Sequence, residues 1–464
     1  MSGGVRLVIE TRPGELRAAV LDHTNSPIAF HVERDTRQSH IGALYLGRVA
    51  AVRPSLGAAF IDLGMSIDGF LNPKSGDTDA RGQRIVEGAA ILVQITRDAG
   101  AGKGPALGMA IDIAGQALVL TPGRPGLGLS GKIKDEGQRQ RLKSLLADTD
   151  TAAAGLLVRT AATQLTDAEV LSELQSLNSR WQTMQDALAG VNAPAMIAPA
   201  PGLTERLIAE HGGAGIRDIL LDDADLMGRL KAGLAAGALG VETAILQTPA
   251  RTAAFVEAGL EDAFEAALSP VVQLPGGGTL IITETPAMTT IDVNAGRGAA
   301  GDEERLSLET NLQAASALAC QLRLRGIGGL IAVDFLKMRA EGNRKKVLSA
   351  LKAAFRNDPG GPRVGDFSTF GIVDIARRSV MPSLGATLLF AHRTLSPETV
   401  ALQALAAIRQ KGGASAGLKV HADVAAQLNG PLASVRKSLE VTLGFVIRVE
   451  ASTTAAIETI EIEG

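Results

Sequence analysis

Residues 288–296 read MTTIDVNAG, and residues 328–335 read GGLIAVDF. Each is a short apolar run that meets an acid, Asp292 in the first and Asp334 in the second. Period-two alternation in the first and an unbroken apolar run in the second predict β-strands. Between them lies ERLSLETNLQAASALACQLRLRG, residues 304–326. It sets Leu308, Leu312, Ala315, Ala319 and Leu322 at helical spacing. Strand, helix and strand predict a βαβ unit, whose strands are parallel. Asp292 and Asp334 then share the carboxyl edge of one sheet, where open α/β sheets build their sites. Side chains two apart share a strand face, so Asn294 points the same way as Asp292. Two carboxylates and an amide oxygen are hard donors, suited to magnesium or manganese more than to zinc. Such an ion activates a water and stabilises charge on a phosphoryl oxygen. A strand-end Asp also caps the turn that follows it, and the pattern alone leaves both readings open. The very apolar strands weigh toward a partner for each charge.

Outward from this core the α/β pattern covers about 270–384. Residues 5–10 (VRLVIE) and 15–21 (ELRAAVL) predict a β-hairpin around Pro13-Gly14. From Ile41 to about residue 120, short strands alternate with glycine turns, which suggests a small closed barrel. A long helix is predicted from a Thr166-Asp167 start. The stretch NAPAMIAPAP, residues 192–201, marks a boundary, with helix, strand and helix after it. The last part carries a helix from Pro397 and ends in strands. The fold class is α/β, multidomain.

The chain has 464 residues, which suggests two to four domains. Hydrophobic residues make up 46%, enough for a large core, while aromatics make up 3%. Lys and Arg number 46 against 49 Asp and Glu, a net charge of −3. That excludes a globally basic nucleic-acid binder but not a local basic groove. The single cysteine, Cys320, excludes a disulfide framework and a multi-cysteine zinc finger within one chain. It fits a reducing compartment. No apolar run reaches the roughly 18 residues of a membrane span, and the first residues lack a signal-peptide pattern. A cytoplasmic protein is expected.

Three segments together resemble the catalytic core of the bacterial ribonuclease E/G family. They are MTTIDVNAGRG, then ETNLQAASALACQLRLRGIGGLIAVDFLKM, then FGIVDIARRSVMPSL. The resemblance implies that Asp292 and Asp334 bind the magnesium ion, with manganese as a substitute, that activates the attacking water. Asn294 would position the first carboxylate. It also implies an RNase H-like domain split between 1–36 and 201–268, an OB-fold RNA-binding domain at 37–114 and a 5′-sensor region at 115–200. A DNase I-like catalytic domain at 269–384, a linker at 385–396 and a small C-terminal domain at 397–464 complete the expected layout. Within IGALYLGRVAAVRPSLGAAFIDLGMSIDGFL, Phe60 and Phe70 match RNA contacts, as do Arg97 and Lys103 in QITRDAGAGKGPAL. Read without the resemblance, the two rings fit a barrel core as well as a stacking platform for bases. In LLVRTAA, Arg159 and Thr160 match the sensor for a 5′ monophosphate, with Gly115 and Val119 lining the same pocket.

The chain departs from the family in four places. Gly131 and Lys132 stand where paired arginines are common, and Thr369 where an arginine precedes the Phe-Gly dipeptide. Lys337 replaces a second acid near Asp334. No cysteine lies in 384–396, where relatives carry a CPxCxGxG-like element that shares zinc between two chains. No structural zinc is therefore expected, and a homodimer would be weaker than its zinc-linked relatives. The implied function is magnesium-dependent cleavage of single-stranded RNA, leaving a 5′ phosphate and a 3′ hydroxyl, in rRNA processing or mRNA turnover. The short, ribonuclease G-like form is expected. Two rivals stand beside it: a non-catalytic RNA-binding or assembly protein on the same fold, and a phosphohydrolase of small molecules. The first would have lost the acids, which are present; the barrel with Phe60 and Phe70 argues against the second.

Overall fold

The structure, a computed structural model, describes residues 4–463 except 73–77, 100–102, 148, 150–153, 213–214, 236–243, 249–251, 297–302, 357, 379–380, 391–393 and 414. Part of the barrel loop and part of the 385–396 linker, His392 included, lie outside the described residues. The chain divides into two compact units. One holds the residues up to Arg6, Gln38–Ile219 and Asp223–Gln247; the other holds Leu7–Arg37, Leu220–Asp222 and Thr248 onward.

Three strands come first: β1 (Val5–Arg12), β2 (Glu15–Leu21) and β3 (Pro27–Arg34), neighbours in that order. The first two are the expected hairpin strands. The third escapes sequence reading, because Pro27 opens it and His31, Glu33 and Arg34 break its apolar alternation.

In the first unit, β4 (Leu44–Arg53), β5 (Ala58–Asp62), β6 (Gly69–Leu71), β7 (Ala90–Arg97) and β8 (Ala106–Gly108) form a barrel. It closes because β4 pairs with both β5 and β7. Tyr45, Ile61, Leu71, Ile91, Val93 and Ile95 fill its interior. Gly47 is required at the closure, since a Cβ there would meet Ile61 Cγ2 at 2.4 Å. Beyond the barrel come β9 (Ile113–Ala114), β10 (Leu118–Pro122), β11 (Gly126–Leu129), helix α1 (Glu136–Ala147) and β12 (Ala154–Val158). The four strands make a sheet in the order β11-β12-β10-β9. Helix α2 (Asp167–Ala189) starts at Thr166 as expected, with a capping box formed with Glu169. Its Val170, Leu174 and Leu177 join Leu118, Leu120 and Leu156 in one core. Next are β13 (Ala195–Ala198), which pairs with β4, then α3 (Leu203–His211), β14 (Ile216–Leu221), α4 (Ala224–Ala235) and β15 (Ala244–Gln247).

In the second unit, α5 (Ala254–Glu257) and α6 (Glu261–Ala266) set Phe255 and Phe264 against Phe30 of β3. A six-stranded sheet follows: β16 (Val271–Gln273), β17 (Thr279–Glu284), β18 (Thr289–Asn294), β19 (Gly329–Asp334), β20 (Arg363–Phe367) and β21 (Ile372–Arg377). Its order is β16-β17-β18-β19-β21-β20. Helix α7 (Glu303–Leu324) connects β18 to β19, and α8 (Glu341–Ala354) follows β19. The β18–β19 pair is parallel, as the predicted βαβ unit requires, and the other neighbours are antiparallel. The two helices cover one face, where Leu280, Ile291, Leu318, Val333, Leu351 and Ile375 are buried. Alternate strand residues stand on the opposite, open face. The rest comprises α9 (Leu384–Leu388), β22 (Leu389–Phe390), β23 (Thr394–Leu395), α10 (Pro397–Lys411), β24 (Ala416–His421), α11 (Ala422–Asn429), α12 (Ala433–Leu443), β25 (Ile447–Ser452) and β26 (Ile460–Glu463). A three-stranded sheet, β25-β24-β26, packs with α10 and α11 around Leu402, Leu405, Leu418 and Leu428.

Candidate active site

The parallel register sets Asp292 directly opposite Asp334. Both are exposed on the open face, while Ile291, Val293 and Val333 between them turn into the core. Like charges directly opposite each other destabilise a sheet. Among the described residues, neither carboxylate has an ion pair. Asp292 Oδ2 accepts one hydrogen bond, from Asn294 Nδ2 at 2.9 Å. The three residues singled out in the sequence thus meet on one face, with Asn294 hydrogen-bonded to Asp292. Sequence reading missed a third acid on this face. Asp374 of β21 stands opposite Ala332, two residues along from Asp334, and is exposed. Among the described residues, no group of three or more His, Cys, Asp or Glu is placed to hold a metal ion. A cation at Asp292 and Asp334 would therefore have two protein carboxylates and complete its shell with water, which suits magnesium.

The loop after Asp334 is held by α7. Asn311 is completely buried, and its Nδ2 donates to Leu336 O at 2.8 Å while its Oδ1 accepts from Leu336 N at 3.0 Å. Glu304 accepts from Arg339 N at 2.8 Å, Ala340 N at 3.1 Å and Asn343 Nδ2 at 2.8 Å. Those donors, the Arg339 N–H first, hold the Glu304 carboxyl below its ordinary range. Glu304 stands in the first turn of α7 and grips this second segment from there. Asn311 gives no signal in the sequence, because a polar residue in a long helix reads as surface.

On the barrel, Phe60 pairs with Phe70, Phe70 with Ala106, and Ala106 with Arg97. Cross-strand partners share a face, so the two rings and the guanidinium lie in one row across β5, β6, β8 and β7. The rings meet edge to face with centroids 6.0 Å apart, and Phe70 is 39% exposed. The row stands on the barrel's outer surface, not in its core. Lys103 is exposed just before β8.

Arg159 and Thr160 line an open cleft of ≈ 450 Å³ with Gln116, Ser130, Lys132 and Glu210, whereas Gly115 and Val119, expected in the same pocket, are not among its lining residues. Arg159 is not a free fork: its Nη1 donates to Gly115 O at 2.9 Å and Ala209 O at 3.1 Å. Gly115 supports Arg159 through its carbonyl and has no room for a side chain, since a Cβ would meet Glu173 Oε1 at 2.1 Å. Glu173 is buried on α2 and accepts from Ala117 N and Leu118 N. Burial pushes its carboxyl above the ordinary value, and the N–H donors oppose that rise. Val119 sits half-buried opposite Leu157. Thr369 lies in the second unit, exposed before β21.

A family model described as the Ribonuclease E/G family matches residues 112–380, more than half of the chain. The chain belongs to this family. Ribonuclease E of Haemophilus influenzae is 30% identical over 393 residues, which cover 82% of this chain and 42% of that protein. Ribonuclease G of the same organism is 28% identical over 397 residues, covering 82% and 80%. Ribonuclease G of Escherichia coli K12 is 29% identical over 395 residues, again covering 82% and 80%. The chain thus spans less than half of that ribonuclease E and most of each ribonuclease G. The family match includes Arg159, Thr160, Asp292, Asn294 and Asp334. In this ribonuclease E/G chain the cleft's cationic side chains are Lys132 and Arg159.

Proposed function

We propose that this chain is an endoribonuclease that cuts single-stranded RNA with a divalent cation, leaving a 5′ phosphate and a 3′ hydroxyl, in rRNA processing or mRNA turnover. The observation that supports it most is the in-register pair Asp292 and Asp334, adjacent, exposed and, among the described residues, without an ion-pair partner. Those two carboxylates would hold magnesium, or manganese in its place. When bound, the ion activates water and stabilises charge on a phosphoryl oxygen. Asn294 fixes Asp292 by donating to Oδ2, which leaves Oδ1 free for the cation. In the cleavage, water adds to phosphorus and the 3′ oxygen leaves. The DNase I-like assignment of 269–384, the split RNase H-like domain at 1–36 and 201–268, and the remaining expected divisions belong to the same proposal. So does a homodimer without a zinc link. Among the described residues, no helix is long and apolar enough to cross a membrane.

The barrel row supplies substrate binding. Phe60 and Phe70 offer ring faces to bases, and Arg97 and Lys103 offer charge to phosphates. Phe60→Ala should weaken single-stranded RNA binding by about 1–3 kcal/mol. Its melting temperature should hardly move, because a ring on the outer surface lacks the roughly 3–5 kcal/mol that a core ring contributes. Fluorescence anisotropy with a labelled oligoribonucleotide and a thermal melt check both.

The cleft would receive a 5′ monophosphate through Lys132, Arg159 and the Thr160 hydroxyl. Because Arg159 Nη1 already serves two carbonyls, preference for that end should be modest. One assay tests both readings: 5′-monophosphorylated and 5′-hydroxyl oligoribonucleotides, each with and without magnesium. Cleavage should require the ion, and the monophosphorylated RNA should be cut faster. Thr160→Val, which spares the Arg159 bonds, should shrink that rate ratio roughly three- to tenfold or remove it. No cleavage of either RNA with magnesium would sink the function; equal rates would sink only the sensor.

A further inference from the structure

The loop between β19 and α8 is held far more firmly than its irregular backbone suggests. Phe335 and Met338 are buried anchors. The Leu336 peptide groups are clamped by Asn311, and the Arg339 and Ala340 N–H groups by Glu304. Within residues 335–338, Lys337 alone is exposed. It has no ion pair among the described residues, and the backbone N–H of nearby Arg339 is taken by Glu304. Three residues span at most about 11 Å, so the Lys337 backbone lies that close to Asp334. Lys337 is exposed, so its ammonium is available to a phosphate of RNA lying over the two acids.

Charge makes the case for what Lys337 does. The open face presents Asp292, Asp334 and Asp374. A single divalent cation leaves one negative charge unbalanced there, and RNA brings more. Arg363 is also on this face, but it lies opposite Ala376, toward the far end of β21. Among the described residues, Lys337 is the cation nearest Asp334 along the chain.

We propose that Lys337 contacts an RNA backbone phosphate at the cleavage site, and that Asn311 and Glu304 are positioning residues that hold the loop carrying it. This rests on the ribonuclease reading above. A lysine is a point-charge phosphate ligand, so one such contact weakens with salt in a measurable way.

The test measures single-stranded RNA affinity at several salt concentrations, in the full chain carrying Asp334→Asn to prevent cleavage. Adding Lys337→Met should raise Kd roughly 3–10-fold and flatten the plot of log K against log salt by about 0.7. Lys337→Arg should restore both. The melting temperature should stay unchanged, which separates a substrate contact from a structural role. Glu304→Ala should weaken RNA binding when Lys337 is present and have no further effect in the Lys337→Met background. Unchanged Kd and salt slope in Lys337→Met, or additive effects of Glu304→Ala and Lys337→Met, would overturn the proposal. Full cleavage by Asp334→Asn alone would instead overturn the ribonuclease site and leave the binding result to be read separately.

Discussion

Asp334→Asn should lower RNA cleavage by on the order of 10²-fold or more, and Asp292→Asn should do the same. Each removes one of two charged donors for the cation. The folded protein should not suffer. Asp292 and Asp334 face each other across parallel strands as like charges, and Asp334 has no partner among the described residues. Neutralising one relieves repulsion, so without divalent ions the melting temperature should hold or rise slightly. Wild type should instead be stabilised by adding magnesium, by mass action on the native state, and the variants should not. Steady-state cleavage and thermal melts, with and without magnesium, separate this signature from simple unfolding. A variant that melts early would point to a structural role for the acid.

Arg34→Met should cost the protein about 3–5 kcal/mol. Arg34 lies on β3 and its side chain is 1% exposed. It donates to Glu15 Oε2 at 3.0 Å, Glu398 Oε2 at 3.0 Å, Thr399 Oγ1 at 2.8 Å and the Thr387 carbonyl at 2.9 Å. One guanidinium therefore ties the N-terminal strands to α9 and α10. Methionine fills much of the volume and leaves Glu15 buried without a counter-charge, which is the costly half of breaking a buried pair. A double change that also makes Glu15→Gln should recover part of the loss. Chemical denaturation of the wild type and the two variants measures it. A loss below about 1 kcal/mol for Arg34→Met would show that water or neighbours replace the network.

The Asp292–Asp334 pair was legible because its geometry follows from local rules. Two apolar strands around one amphipathic helix must be parallel, and acids at equivalent positions then meet. The sequence could not show that the register is exact to the residue, nor that Asp374 joins the face from an antiparallel neighbour. Arg34 and Glu398 lie too far apart in the chain for any pattern to link them. The barrel row depends on pairing through β5, β6, β8 and β7, with a register shift between Ile95 and Arg97. A shift of one residue would turn Phe70 inward, so sequence left core and surface readings both open. Asn311 stayed hidden because its partner is backbone, and backbone partners carry no sequence signal.

Manganese binding followed by electron paramagnetic resonance addresses the cation site without relying on activity. Wild type should bind about one Mn²⁺ that Mg²⁺ displaces, and Asp292→Asn and Asp334→Asn should each lose that binding. Undiminished, Mg²⁺-displaceable Mn²⁺ binding in both variants would contradict a cation held by the in-register pair.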